Sequence, residues 1–255
     1  MPPDDPAFER GTAELTEVSL AWRATGLPTE ATGAVPILAL HGMCSGATTW
    51  GRFAVAAARS GRRVVALDLR GHGSSSRPGR CTCRAMRDDV IAFLDHEALE
   101  RVDLVGHSLG GHVGTLVAQR QPDRVRRLVL EDISPPPEGP HDLALQTARQ
   151  RVTLAAQSAL LLTRARRFDV RMARPVLVEV LATPDPQWWA ALPGMAAPTL
   201  LVGGGDSSHL SGKRLARLVQ QMPDCQLVTV AGAGHRVHSR QPEQFVAAVL
   251  PFLAG

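Results

Sequence analysis

Short apolar runs alternate with amphipathic stretches along most of the chain. Pro36-Ile37-Leu38-Ala39-Leu40, Arg63–Leu67, Val102–Val105, Arg126–Leu130, Pro198–Val202 and Gln226–Val230 read as strands. Runs with little polar alternation fit strands buried on both faces. Thr16–Trp22 alternates and reads as an early antiparallel strand. Between the strands, helices are predicted near Trp50–Ser60, Arg84–Ala98, Leu210–Gln221 and Pro242–Leu253, and after Gly110. In Arg84–Ala98, Met86, Val90, Ile91 and Leu94 share one face. Strand–helix alternation predicts an α/β fold, a mostly parallel central sheet with helices on both faces. The pattern breaks from Pro135 to Ala197. His141–Thr163 reads as largely helical, Pro175, Pro184 and Pro186 punctuate the rest, and no strand is apparent. A helical lid over 135–197 is therefore expected, inserted into a core of residues 1–134 and 198–255.

Composition narrows the class. The 255 residues, 44% hydrophobic and 20% charged, suffice for one sizeable core. No apolar run reaches the length of a membrane span. Met1-Pro2-Pro3-Asp4-Asp5 lacks a basic stretch leading into an apolar one, so no signal peptide is expected. Cys44, Cys81, Cys83 and Cys225 fit neither a disulfide framework nor a paired zinc site, and Cys81-Thr82-Cys83 reads as unpaired thiols in a loop. A reduced, cytoplasmic location follows as the default. The net charge is +4 and Lys213 is the only lysine. Arg124, Arg126, Arg127 and Arg164, Arg166, Arg167 read as solvated helix faces, and no nucleic-acid module accompanies them. Gly203-Gly204-Gly205 lacks the Lys-Ser/Thr of a phosphate loop and Gly-x-Gly-x-x-Gly is absent, so no cofactor and no metal are expected.

One segment carries chemistry on its own. Val102–Val105 runs into Gly106-His107-Ser108-Leu109-Gly110-Gly111 and then into an amphipathic helix with Val113, Leu116 and Val117. Strand, Gly-x-Ser-x-Gly turn and helix make a nucleophile elbow, which holds Ser108 at the tip of the sheet. A serine hydroxyl is a weak nucleophile, so it needs an adjacent base, and the base needs a group that orients it. His235 suits the base, because it follows the strand Gln226–Val230 through a glycine-rich loop at the sheet edge. His238 is its nearest rival. His107 adjoins Ser108, where elbow neighbours point apart, and His112 lies within the helix.

With these pieces assembled, the chain resembles the α/β-hydrolase superfamily over nearly its whole length. The matching motifs are His41-Gly42, Asp68-x-Arg70-Gly71-His72-Gly73-x-Ser75, Gly106–Gly111, Pro198–Val202 and Gly234-His235. The resemblance implies Ser108 as nucleophile, His235 as base, and an oxyanion hole from the backbone N–H groups of Met43 and Leu109. Asp68–Ser75 reads as a structural loop.

The acid departs from the commonest pattern of that superfamily, which places it after the strand Pro198–Val202. Ser207 occupies that position here, and Asp206 falls one residue early. Asp132, in Glu131-Asp132-Ile133-Ser134-Pro135, is the first candidate, with Asp206 as the alternative acid. A branch of small esterases is similar in having an Asp-Ile-Ser-Pro-like run there. Ser207 is expected to support the imidazole. Trp188, Leu160 and Leu161 are candidate linings of the lid, with core packing the plainer reading of each.

The function these residues imply is a serine hydrolase of carboxylic esters acting on a small-molecule acyl substrate, with no membrane partner. The alternatives are hydrolysis of lactones, thioesters, amides or C–C bonds on the same triad, or a non-catalytic ligand-binding protein on this scaffold. Epoxide and haloalkane hydrolysis are disfavoured, because related enzymes use an aspartate nucleophile, and epoxide opening also uses lid tyrosines while this chain has no tyrosine.

Overall fold

The computed structural model of the protein describes residues 7–26, 33–140, 142, 168–208 and 212–255. One eight-stranded sheet runs through it: β1 (Glu9–Glu14), β2 (Ser19–Thr25), β3 (Ile37–Leu40), β4 (Val64–Leu67), β5 (Val102–His107), β6 (Val125–Glu131), β7 (Thr199–Gly203) and β8 (Cys225–Thr229), in the order β1-β2-β4-β3-β5-β6-β7-β8. From β4 to β8 every pairing is parallel, while β1 and β2 form an antiparallel edge.

The apolar runs behave as period-two strands covered on both sides. Leu38, Leu40, Leu104, Leu128, Leu130 and Leu201 turn to one face, where α2 (Cys83–His96) and α3 (Leu109–Arg120) pack through Met86, Phe93, Val113 and Val117. Ile37, Ala39, Val105, Val129, Leu200 and Val202 turn to the other, against Phe53 of α1 (Gly51–Arg59) and Phe245 of α8 (Pro242–Ala254). Burial of both faces explains why these runs lack polar alternation.

At the N-terminal edge the expectation is corrected. The early antiparallel strand expected over Thr16–Trp22 is β2, shifted to Ser19–Thr25, and a further strand, β1, precedes it through a tight turn in which Leu15 N–H donates to Val18 O at 2.9 Å. Most of β1 is exposed or half-buried, so its sequence Glu-Arg-Gly-Thr-Ala-Glu carries little apolar signal.

Between β6 and β7 the described residues hold helices and turns: α4 (Val170–Ala182), α5 (Pro186–Ala190) and a 3₁₀ turn at Leu192–Gly194. The expected helix over His141–Thr163, with Leu160 and Leu161, lies almost wholly outside the described residues. α6 (Gly212–Gln221) and a one-turn α7 (Val237–Arg240) complete the elements. Among the described residues no helix is long and apolar enough to cross a membrane.

The chain leaves β3 toward β4 on one side and returns to place β5 on the other. The carboxyl ends of β3 and β5 thus flank a crevice where the strand order reverses, the place where open α/β sheets bind ligands. The loops after β3, β5, β6, β7 and β8 carry the candidate residues.

Candidate active site

Ser108 stands between β5 and α3 with φ 50° and ψ −112°, a backbone conformation that L-residues rarely adopt. Glycines make the turn possible by close approach. A Cβ on Gly106 would lie 2.5 Å from Gly110 O, and one on Gly110 would lie 2.2 Å from Leu40 O. The amide of Ser108 donates to Glu131 O at 2.9 Å, which ties the turn to the neighbouring strand. Its side chain does not cap α3, so the hydroxyl is not spent on the helix end. The positive end of the helix dipole also lies there, and it favours negative charge.

Asp132 follows the last residue of β6, also at positive φ (47°), and is fully buried. Its Oδ2 lies 2.7 Å from His235 Nδ1, across 103 positions of sequence. An ionised carboxylate only accepts, so Nδ1 carries a proton, and in the neutral ring Nε2 holds the lone pair. The carboxylate accepts two further hydrogen bonds, from Ser208 Oγ at 2.7 Å and from the Gly204 amide at 3.2 Å. Burial pushes its pKa up, but the bonds from His235, Ser208 and Gly204 outweigh that and hold the group below the usual carboxylate range. The His235 side chain is 30% exposed, so solvent and a small substrate can reach it.

The two other candidates lie elsewhere. Asp206 is exposed, in a 3₁₀ turn over Gly205–Ser207. Ser207 is exposed too, and its hydroxyl donates to Gly204 O at 3.2 Å. Of the two adjacent serines, it is the hydroxyl of Ser208 that meets Asp132. The turn rotates successive side chains apart, and sequence spacing does not fix which of two adjacent serines faces inward.

Histidines crowd this end of the sheet. The Nε2–H of His107 donates to the carbonyl of His235 at 2.7 Å, and the two rings lie 4.7 Å apart. His238, the rival base, is only 2% exposed and faces Glu131. His112 stacks on Trp188 with ring centres 5.8 Å apart, so both residues serve packing. Met43 is half-buried in the loop after β3, and Leu109 opens α3. In that loop His41 donates Nδ1–H to Gly42 O at 2.7 Å and accepts the Leu69 amide at 3.1 Å. Asp68 receives the amides of Ala47 (2.6 Å) and Ser74 (3.0 Å), a structural role for the Asp68–Ser75 segment.

Burial keeps several of these rings neutral. Desolvation lowers His41 and His112 to about 4 and His72 to about 3. His107 is held well below the imidazole range, first by burial and then by the neighbouring His235 and His238. Above pH 6.5 both folded and unfolded chains carry these rings neutral. As pH falls below that value the unfolded chain takes up protons that the folded chain refuses, and stability is lost. His41 alone, lowered to about 4, removes about 3 kcal/mol of folding free energy between pH 7 and pH 4. Urea denaturation is expected to show stability falling steeply over that interval. A curve flat from pH 7 to pH 4 would contradict it.

Of the groups the sequence reading missed, Ser208 left no signal beyond its place beside Ser207. Glu131 gave one, a carboxylate at the end of a strand otherwise apolar from Leu128 onward.

The comparisons agree with this architecture. The model of the Alpha/beta hydrolase family matches residues 37–248. The sn-1-specific diacylglycerol lipase ABHD11 of Mus musculus is 32% identical over 250 residues, covering 86% of this chain and 80% of that protein. Esterase YbfF of Escherichia coli (strain K12) is 25% identical over 239 residues, covering 86% of this chain and 92% of its own. Among solved structures, a hydrolase from Pseudomonas aeruginosa PA01 is 27% identical with a TM-score of 0.69, covering 99% of this chain and 100% of that one. The family match spans the elbow, the strand that leads to Asp132 and the loop that carries His235, and the chain belongs to the alpha/beta hydrolase family.

Proposed function

We propose that the protein is a serine hydrolase of carboxylic esters, with Ser108 as nucleophile, His235 as base and Asp132 as the acid that orients it. The observation that carries this reading is the 2.7 Å contact of Asp132 Oδ2 with His235 Nδ1, beside an elbow serine on the adjacent strand. His235 Nε2 takes the proton of Ser108 as Oγ attacks the ester carbon, and the carbonyl π pair moves onto oxygen. The backbone N–H groups of Met43 and Leu109 stabilise that oxyanion, and α3 adds its dipole. The tetrahedral species collapses, the C–O bond to the alcohol breaks, and His235 returns the proton to the leaving oxygen. Water then attacks the acyl-enzyme by the same route, and the acid and free Ser108 are released.

Residues 135–197 serve in this reading as a lid over the site, inserted into the core of 1–134 and 198–255. The support is that the described part of the segment holds helices and turns and begins just past Asp132. Kinship with a diacylglycerol lipase and an esterase favours acyl esters as the substrate class.

The test is labelling by a fluorophosphonate together with turnover of p-nitrophenyl esters from acetate to laurate. Stoichiometric labelling of the wild type, with turnover on at least one ester, is the expected result. A folded protein that neither labels nor turns over any of them would overturn the proposal and leave the ligand-binding alternative.

A further inference from the structure

Glu131 and Asp132 are consecutive, yet each grips a histidine of the same short segment. Asp132 holds His235, and Glu131 holds His238. The Glu131 side chain is fully buried, and its Oε1 accepts the backbone N–H of His238 at 2.9 Å. The same carboxylate accepts His238 Nδ1–H, at 2.6 Å to Oε2 and 2.9 Å to Oε1. His238 Nε2 lies 2.8 Å from Thr49 Oγ1, in the 3₁₀ turn Ala47–Trp50 that follows the Met43 loop. The ring stacks on Trp50 with centroids 4.3 Å apart and meets His107 edge-on at 5.1 Å. His107 in turn bonds the carbonyl of His235.

We propose that Glu131 and His238 are a positioning pair, which fixes the loop carrying His235 to the acid strand on one side and to the oxyanion loop on the other. The inference rests on the catalytic reading above and adds to it residues that touch no substrate. Burying a carboxylate is costly unless it is paired and hydrogen-bonded, and apolar residues pack as well at lower cost. Apolar packing is non-directional, however. Two donors of one residue, the backbone N–H and an Nδ1–H shared between both oxygens, fix orientation as well as distance. A base must be held within about 0.5 Å of its productive position, and that demand makes directional contacts useful here. The strand supplies the geometry. Glu131 shares the face of Val129, the side on which Trp50 and Phe245 pack, while the positive φ of Asp132 turns the next carboxylate toward His235.

Glu131→Gln keeps the shape but puts an amide where the second carboxylate oxygen stood. The experiment measures kcat and KM for p-nitrophenyl butyrate, with kcat normalised to sites titrated by fluorophosphonate. A purely structural role would lower the titratable fraction or the melting temperature and leave kcat per titrated site intact. Positioning predicts a fall in kcat per titrated site of about tenfold or more with KM nearly unchanged, since misplacement by about 1 Å costs up to about a hundredfold. A value within about threefold of wild type would overturn the inference, whatever the melting temperature. Should Glu131→Gln fail to fold, Thr49→Val decides. It removes only the hydroxyl facing Nε2, and a kcat per site lowered by about threefold supports the pairing while an unchanged one overturns it. Wild type and His235→Ala are run alongside. If the wild type fails to label, or His235→Ala turns over as fast, the catalytic reading has failed. If both controls behave and Glu131→Gln matches wild type, only the positioning pair has failed.

Discussion

Ser108→Ala is expected to lower kcat for p-nitrophenyl butyrate by on the order of 10⁴- to 10⁶-fold, because removal of the nucleophile from a triad leaves only binding and oxyanion stabilisation. The fold should survive. Ser108 sits at φ 50°, and alanine carries the same Cβ, so the substitution neither adds nor relieves backbone strain. Ser108→Gly separates strain from chemistry. It deletes the Cβ that the turn holds in an unfavourable region, and should raise stability by roughly 1–3 kcal/mol while activity stays abolished. Urea denaturation of both variants beside turnover per folded protein checks the pair of claims. Residual activity of Ser108→Ala within tenfold of wild type, on a verified fold, would remove Ser108 from the mechanism.

Asp132→Asn is expected to reduce kcat by about 10⁴-fold, since a neutral amide neither stabilises the imidazolium nor enforces the Nδ1–H tautomer. Asparagine tolerates positive φ, so the backbone at Asp132 (φ 47°) can persist. The side chain does worse. Asp132 accepts from His235, Ser208 and the Gly204 amide, and an asparagine offers one oxygen where two now serve. One donor is left facing an NH₂ group, at a cost of about 1–3 kcal/mol in stability. Asp206→Asn, on an exposed turn, should change kcat by less than about twofold, as surface substitutions away from the site usually do little. Steady-state kinetics on the two variants, each first checked for folding, distinguishes them. A severe Asp206→Asn beside a mild Asp132→Asn would show that the acid lies after β7.

The elbow was legible because every part of it is local. Ten residues hold an apolar strand, two glycines at close-approach positions, a serine and a helix, and only backbone sterics connect them. The central strands were legible for a similar reason, since burial on both faces demands continuous apolar runs. β1 was not, because an exposed edge strand needs no such run and its Glu-Arg-Gly-Thr-Ala-Glu reads like a loop.

The carboxylate that meets His235 was half legible. Sequence left Asp132 and Asp206 as rivals because the choice depends on which carboxylate reaches an imidazole 103 residues away, and spacing along the chain says nothing of that distance. The same limit hid Ser208 behind Ser207, and made His238 look like a rival base when its partners are Glu131 and Thr49, at separations of 107 and 189 residues. By itself, then, the amino-acid sequence determined the elbow turn at Ser108 and the strand–helix order, which follow from short-range sterics and hydrophobic periodicity. Only the tertiary structure decided which carboxylate meets which histidine, because those pairings arise when parallel strands bring the ends of β6 and β8 to one edge of the sheet.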